Sequence, residues 1–456
     1  MFCLPSWSAN DINLSSRVES VIAREGDLNV GILIKELNNG KIIYERHSHR
    51  LFVPASVVKL LTAYGALHYL GVDYKFSTTL LTDNSNIKDH VLSGNLYLKF
   101  TGDPSLTNQD LSTIFASLEQ LAIKQVNGDI IIDSSLYPDH NSAVGGFTWN
   151  DQPFCYAAPK TAIVINNNCA EAWVQTSKIG APVNITNKRD VVLAISNNMN
   201  TAEANKKNCL FESKYLEQNQ YEVYGCMPKE WDKVRLNFAL PDNHKMISDY
   251  INSIFLRKHI KLSGRIISGL AKGRVMIYRH QSPPLTELLK VVLQDSNNVA
   301  SANIFKAMGA QYSGEEATDK NGVAAIYNLL DKEAISRDEL AVYDGAGESW
   351  YNLISPYVLV SILEHIYQNK TLHAHLQELL PTFNENGTVK NRTFDNPNSQ
   401  YLVAKTGTLN HTSALAGYYL PPNQPHYAFA IMINNYLTDH YKIKKLEDQL
   451  LDMLLK

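Results

Sequence analysis

The sequence predicts an α+β protein: a five-stranded antiparallel sheet flanked by helices and interrupted midway by inserted, mainly-β material. Three observations carry this reading. Strand-like runs stand at both ends of the chain, "LNVGILIKEL" and "KIIYERHS" early, "YLVAKTGTL", "SALAGYYL" and "YAFAIMINN" late. Runs with helical periodicity follow the first pair and precede the last three. Between about residues 76 and 280 the texture changes to short strand-like pieces ("FSTTLLTD", "NLYLKF", "GDIIIDSS", "TAIVINNN", "EAWVQT") separated by Gly, Asn, Asp and Pro. One sheet built from both chain ends is the economical assembly, and the middle of the chain is then an excursion from it.

Each element follows from its residues. "DINLSSRVESVIARE" reads as an amphipathic helix. Asn39-Gly40, between two strand-like runs, predicts a two-residue hairpin turn. "VPASVVKLLTAYGALHYLG", residues 53–71, predicts a helix apolar on all sides and therefore buried, stopped by Gly71. From residue 285 come "LTELLKVVLQ" and "VASANIFKAMG", interrupted by the turn and cap formers Asp295-Ser296-Asn297-Asn298. "GVAAIYNLLDKEA", "SPYVLVSILEHIYQ" and a final "YKIKKLEDQLLDMLL" are further helices. The last carries Ile443, Leu446, Leu450 and Met453 on one stripe. That stripe suits packing against the sheet, with a peripheral membrane contact as the alternative.

At 456 residues the chain is too long for one ordinary core, so two or three domains are expected. Apolar residues make up 45%, charged residues 19%, and the net charge is −3, the composition of a soluble globular protein. The basic residues are dispersed, which excludes a nucleic-acid footprint. No apolar run reaches the roughly 18 residues of a membrane span. The five cysteines (Cys3, Cys155, Cys169, Cys209, Cys226) form no C-x-x-C pair, which argues against a zinc or thioredoxin-type site. Cys209 and Cys226 could form one disulfide, but the preferred reading is small buried hydrophobes. "MFCLPSWSAN" lacks a basic segment and a long apolar core, so it reads either as an ordinary terminus or as the end of an export signal that starts upstream.

Three short motifs carry chemistry. Ser56-x-x-Lys59 puts a hydroxyl and an amine on one face of the apolar helix; the other Ser-x-x-Lys of the chain, Ser85 to Lys88, lies in a polar, turn-rich stretch. A serine needs a base to become a nucleophile, and burial favours the neutral amine that can serve as one. The alternative is an N-cap serine and a lysine reaching for solvent. Ser-x-Asn occurs at Ser8, Ser93, Ser196, Ser296 and Ser301, so the pattern alone says little. Ser296-Asn297-Asn298 stands apart because it breaks two helices and turns a hydroxyl and an amide outward. Lys405-Thr406-Gly407-Thr408 lies on a predicted strand, where a glycine permits close approach of another backbone. There Lys405 offers a charge for a substrate carboxylate, and Thr406 and Thr408 offer hydroxyls. The alternative is an exposed edge strand protected by its lysine.

In that order and context, the three motifs are the signature of penicillin-interacting serine acyl-transferases. The chain resembles, over nearly its full length, the class C low-molecular-mass penicillin-binding proteins of the PBP4-like type, the S13 D-alanyl-D-alanine carboxypeptidase/endopeptidases. "LFVPASVVKLLTAYGAL", "LYLKFTGDPSL", "NGDIIIDSSLY", "YAAPKTAIVINNN", "DGAGESWYNLISP" and "AKTGTLNHTSALAGY" are similar to segments of that family. The separation of 237 residues from Lys59 to Ser296 matches its two nested extra domains; class A β-lactamases have a much shorter interval. Ala346, Glu348 and Trp350 depart from the family's usual Ser, Leu and Arg around Asp344-Gly345.

The resemblance implies a penicillin-binding, β-lactamase-like catalytic domain (1–75 and 281–456), an inserted domain (76–165 and 235–280) and a third nested in it (166–234). It implies catalysis by Ser56, Lys59, Ser296 and Lys405, with the backbone N–H groups of Ser56 and Thr408 around the oxyanion. Asn298, Thr406, Gly407 and Thr408 are then the substrate-binding residues, and no metal or cofactor takes part. The partners implied are peptidoglycan stem peptides ending in D-Ala-D-Ala or cross-linked, and β-lactams; homodimer formation stays open. A cell-wall substrate implies export, to the periplasm. Two other readings stand beside it: a β-lactamase or esterase with the same acyl-serine, and a non-catalytic wall-binding protein.

Overall fold

A computed structural model describes residues 9–84, 86–138, 145–187, 193–203, 209–392 and 399–455. Cys3, Ser8 and most of "MFCLPSWSAN" lie outside them. The sheet joins both chain ends as expected: Ile42–Arg46, Asn29–Glu36, Tyr427–Asn434, Thr412–Tyr419 and Leu402–Leu409, in that order and antiparallel throughout.

The two-residue period of these strands sorts their side chains onto two faces. Val30, Ile32, Ile34, Leu415, Phe429, Ile431 and Ile433 pack under the helices Ala9–Arg24 and His440–Leu454. Leu33, Ala414, Ala416, Tyr418, Ala428, Ala430 and Met432 face the other way, onto the remaining helices. The alanines matter because a face of small residues lets helices come close. On that side lie a 3₁₀ turn, Ala55–Val58, that runs into the helix Lys59–Tyr69, and the helices Leu285–Gln294, Asn298–Ser313 and Pro356–Gln368.

The final helix buries Ile443, Leu446 and Leu450 against the sheet, with Met453 packed beside them, as its stripe predicts. It is also held by charge. Arg392 Nε reaches Asp448 at 2.7 Å and its NH2 group reaches Glu447 at 2.8 Å, with all three side chains nearly buried. Ser413 Oγ donates to the same Glu447 at 2.6 Å, tying the helix to the strand beside Leu402–Leu409.

The middle of the chain has its own core. A mixed five-stranded sheet orders Ile266–Ser268, Ile130–Asp133, Leu96–Phe100, Ser77–Thr82 and Val275–Gln281, accompanied by the helices Asn108–Gln120 and Asn243–Arg257. Beyond it, two three-stranded sheets contain Cys169–Gln175, Asn184–Asn187 and Lys233–Ala239, and Ala194–Ala202, Phe211–Tyr215 and Gln220–Pro228. Strand Lys233–Ala239 runs across position 234/235 and pairs along its length with Cys169–Gln175.

Three local expectations fail. The hairpin closes through Glu36 and Lys41, and of the Asn39-Gly40 pair Gly40 alone takes a positive φ, so the loop is longer than two residues. "TAIVINNN" is not a strand. It is a buried segment whose backbone groups are satisfied by amides: Asn168 donates to Pro159 and Ile163 carbonyls at 3.0 Å and accepts from Ile165 N–H at 3.1 Å. The cysteines are not simply buried hydrophobes. Cys155–Cys169 and Cys209–Cys226 are disulfides with Cα separations of 5.4 and 5.2 Å, ordinary for such bonds.

Arg392→Ala leaves two carboxylates buried without their cation, so unfolding should become easier by about 3–5 kcal/mol. Denaturant unfolding of the two proteins measures it, and an unchanged midpoint would contradict the buried triad.

Candidate active site

Ser56 sits in the 3₁₀ turn, half-buried, just after Ala55, whose φ of +47° is unusual for a residue with a side chain. Lys59, one turn on, is fully buried. Its Nζ touches three oxygens: Ser56 Oγ at 2.7 Å, Asn298 Oδ1 at 2.7 Å and the Ala346 carbonyl at 2.5 Å. Asn298 Nδ2 donates to the Tyr156 carbonyl at 2.9 Å, which turns Oδ1 toward Lys59. Two of the three contacts are therefore acceptors only. A neutral amine has two N–H donors and one lone pair. As an ammonium Lys59 donates to all three oxygens; as a neutral amine its donors serve Asn298 and Ala346 and its lone pair faces the Ser56 hydroxyl.

Burial pushes the Lys59 amine down to about 7, the largest influence on it; Glu348 and Asp344 oppose this and Lys160 assists it. The environment of Lys405 resembles that of Lys59. Lys405 is also fully buried, and burial, then the neighbouring Lys59, holds it well below the usual lysine range. Its Nζ lies 2.8 Å from Ser296 Oγ and 2.8 Å from the Thr406 carbonyl. Ser296 has a φ of +58°, so both hydroxyl-bearing turns use left-handed backbone, at Ala55 and at Ser296. Asn297 caps the helix that begins at Asn298, accepting from Ala300 N–H at 2.9 Å. The break therefore aims Ser296 and Asn298 into the cleft while Asn297 serves the helix.

Strand Leu402–Leu409 ends the sheet and packs on the Ser56 turn. Gly407 is required there: a Cβ would lie 2.4 Å from the Pro54 carbonyl and 3.2 Å from Ser56 N. Thr406 and Thr408 flank it and are more accessible, with hydroxyls near Thr388 at 2.7 Å and His440 at 3.3 Å. All eight sequence-predicted residues thus converge on one cleft.

The segment 344–352 also builds the site, though no motif assigned it a role. Buried Asp344 gathers the N–H groups of Ala346, Gly347 and Ser349 at 2.6–2.8 Å and so shapes the loop that presents the Ala346 carbonyl. The Gly345 carbonyl accepts from Thr62 and from Ser301, both at 2.7 Å, pinning the loop to both catalytic-side helices. Gly347, at φ +83°, presses so closely on Ala55 that a Cβ would meet its carbonyl at 2.0 Å. Ser301 and Asn303, a Ser-x-Asn repeat without chemistry, are structural: Asn303 Nδ2 donates to Gly102 and Thr161 carbonyls of the inserted part, both at 2.9 Å. The signal for these roles was present only as the resemblance of "DGAGESWYNLISP" to a family segment.

Beside Ser296 and Asn298 opens a cavity of about 540 Å³, lined also by Tyr156, Asn167 and the Cys155–Cys169 disulfide. That disulfide holds the residue before Tyr156, whose carbonyl orients Asn298. Among the described residues no cluster of His, Cys, Asp and Glu suits a metal ion, and no helix is long and apolar enough to cross a membrane.

Residues 14–456 match the profile of the D-Ala-D-Ala carboxypeptidase 3 (S13) family. The chain is 30% identical to the D-alanyl-D-alanine carboxypeptidase DacB of Haemophilus influenzae over 449 residues, 97% of this chain and 92% of that one. It is 24% identical to a D-alanyl-D-alanine carboxypeptidase of an Actinomadura species, over 89% of this chain and 78% of that one. The crystal structure of penicillin binding protein 4 (dacB) from H. influenzae superposes with a TM-score of 0.89 at 28% identity, covering 96% of this chain and 99% of that one. Fold, clustered motifs and a match along almost the whole length agree: the chain belongs to the D-Ala-D-Ala carboxypeptidase 3 (S13) family of serine peptidases.

Proposed function

We propose that the protein hydrolyses D-Ala-D-Ala ends, and D-Ala-containing cross-links, of peptidoglycan stem peptides through an acyl-enzyme on Ser56. The observation that carries this is the fully buried Lys59 amine 2.7 Å from Ser56 Oγ, where burial favours the neutral form that can take the hydroxyl proton. Lys59 takes the Ser56 proton as Oγ attacks the carbonyl carbon of the penultimate D-Ala, help typically worth roughly 10²–10⁴-fold. The oxyanion lies against the backbone N–H groups of Ser56 and Thr408, each such donor worth about 3–4 kcal/mol. The carbon–nitrogen bond breaks as the Ser296 hydroxyl gives its proton to the leaving nitrogen, and Lys405 restores that proton. Water then releases the acyl group.

Thr406, Gly407 and Thr408 hold the substrate's terminal carboxylate, and Asn298 its peptide amide. Two ammonium groups in one buried site oppose each other, so the Lys59–Lys405 pair holds one proton more readily than two. An arriving carboxylate favours that proton on Lys405, which leaves Lys59 the free base. A β-lactam follows the first half of the reaction and remains as an acyl group on Ser56. We assign the catalytic domain to residues 1–75 and 281–456, with the nested unit of the insertion extended through Ala239 because its last strand ends there. Two disulfides fit an oxidising compartment, which supports export to the periplasm.

Two measurements check this reading. Fluorescent penicillin should label the wild type and not Ser56→Ala, and D-Ala release from a stem pentapeptide should vanish in the same variant; Ser56-independent labelling contradicts it. The acylation rate should rise as pH climbs through about 7, where Lys59 becomes neutral, and fall about tenfold per pH unit below it. Lys59→Arg keeps the charge but cannot act as a base, so it should abolish acylation in a folded protein.

A further inference from the structure

The Glu348 carboxylate is nearly buried, 11% exposed. Its partner is Lys160, 14% exposed, whose Nζ lies 2.7 and 2.9 Å from the two carboxylate oxygens. The partners belong to different parts of the fold. Lys160 lies in the inserted segment that also supplies Tyr156. Glu348 lies two residues after Ala346, in the loop that Asp344 shapes. Lys160 is itself anchored: Lys306 Nζ contacts its carbonyl at 3.4 Å and pairs with Asp319 at 3.2 Å, and the Phe147 ring lies 5.2 Å from the Lys160 ammonium. Both partners line a cavity of about 570 Å³ between the inserted segment and the helix Asn298–Ser313.

We propose that the Lys160–Glu348 ion pair is a positioning device that clamps the Ala346 loop to the inserted segment and sets the charge balance around Lys59, and with it the pH at which acylation begins. Every charged group near Lys59 takes part in that balance. Glu348 and Asp344 favour its protonated form; Lys160 and Lys405 disfavour it. Glu348 in turn faces Lys160, Asp344, Lys59 and the Tyr156 hydroxyl. Glu348 acts on Lys59 more strongly than Lys160 does, so the intact pair leaves Lys59 more basic than burial alone would. The inserted segment thereby reaches the base through the loop that carries Ala346.

The inference rests on Lys59 as the base, and the test separates the two. Acylation by a fluorescent penicillin is followed across the neutral pH range for the wild type, Glu348→Gln and the double variant Glu348→Gln/Lys160→Met, with thermal unfolding as a check on folding. Glu348→Gln removes an anion and leaves the Lys160 cation uncompensated, so its midpoint should fall by about half a pH unit to one pH unit. Removing Lys160 as well should bring the midpoint part of the way back. A merely structural pair would lower rates without moving midpoints, and the double variant would be no better than the single. Equal midpoints with normal Ser56-dependent labelling, or a double variant at or below the single, overturn the inference alone. No Ser56-dependent labelling of the wild type overturns it together with the base.

Discussion

The site depends on one constraint: the Lys59 amine is fully buried against three oxygens. Withdrawal from solvent disfavours its charge, and the two obligatory acceptors, Asn298 Oδ1 and the Ala346 carbonyl, use the donors of the neutral form. The fold can be read outward from there. An alanine-rich sheet face admits the Ser56 helix at close range, and Gly407 admits the strand edge beside it. The left-handed backbone at Ala55 and Ser296 is the local strain that this convergence of hydroxyls requires.

The second requirement is that three distant stretches of chain hold those oxygens still. Asn298 is aimed by Tyr156, which follows a disulfide-bonded cysteine of the insertion. Ala346 is aimed by Asp344 and by the Gly345 carbonyl shared between Thr62 and Ser301. Asn303 fastens the same helix to Gly102 and Thr161. The insertion therefore helps hold the framework around Lys59, through Tyr156 at Asn298 and through Gly102 and Thr161 at Asn303.

The cluster around Lys59 was legible because each of its motifs is short and local, and because Ser56-x-x-Lys59 fell on a helix with no polar face. The sheet was legible for the same reason: most of its strands are apolar runs bounded by turn formers. What escaped were properties of partners far apart in sequence. Cys155 and Cys169 read as isolated cysteines until folding brings their Cα atoms within 5.4 Å. "TAIVINNN" has strand composition, but its backbone is satisfied by Asn168 and neighbours rather than by a ladder. That Lys405 is buried beside a second amine is likewise a property of the fold rather than of its motif. Asn39-Gly40 met a longer loop, since only Gly40 adopts the left-handed conformation.

The most direct measurement is the titration of Lys59 itself in the resting protein, by NMR of the lysine side-chain nitrogens with Lys59→Arg to identify its signal. A midpoint near 7 is the predicted result. A midpoint close to that of an ordinary solvated lysine, about 10.4, would contradict it, because the amine would then be an ammonium with no lone pair for Ser56.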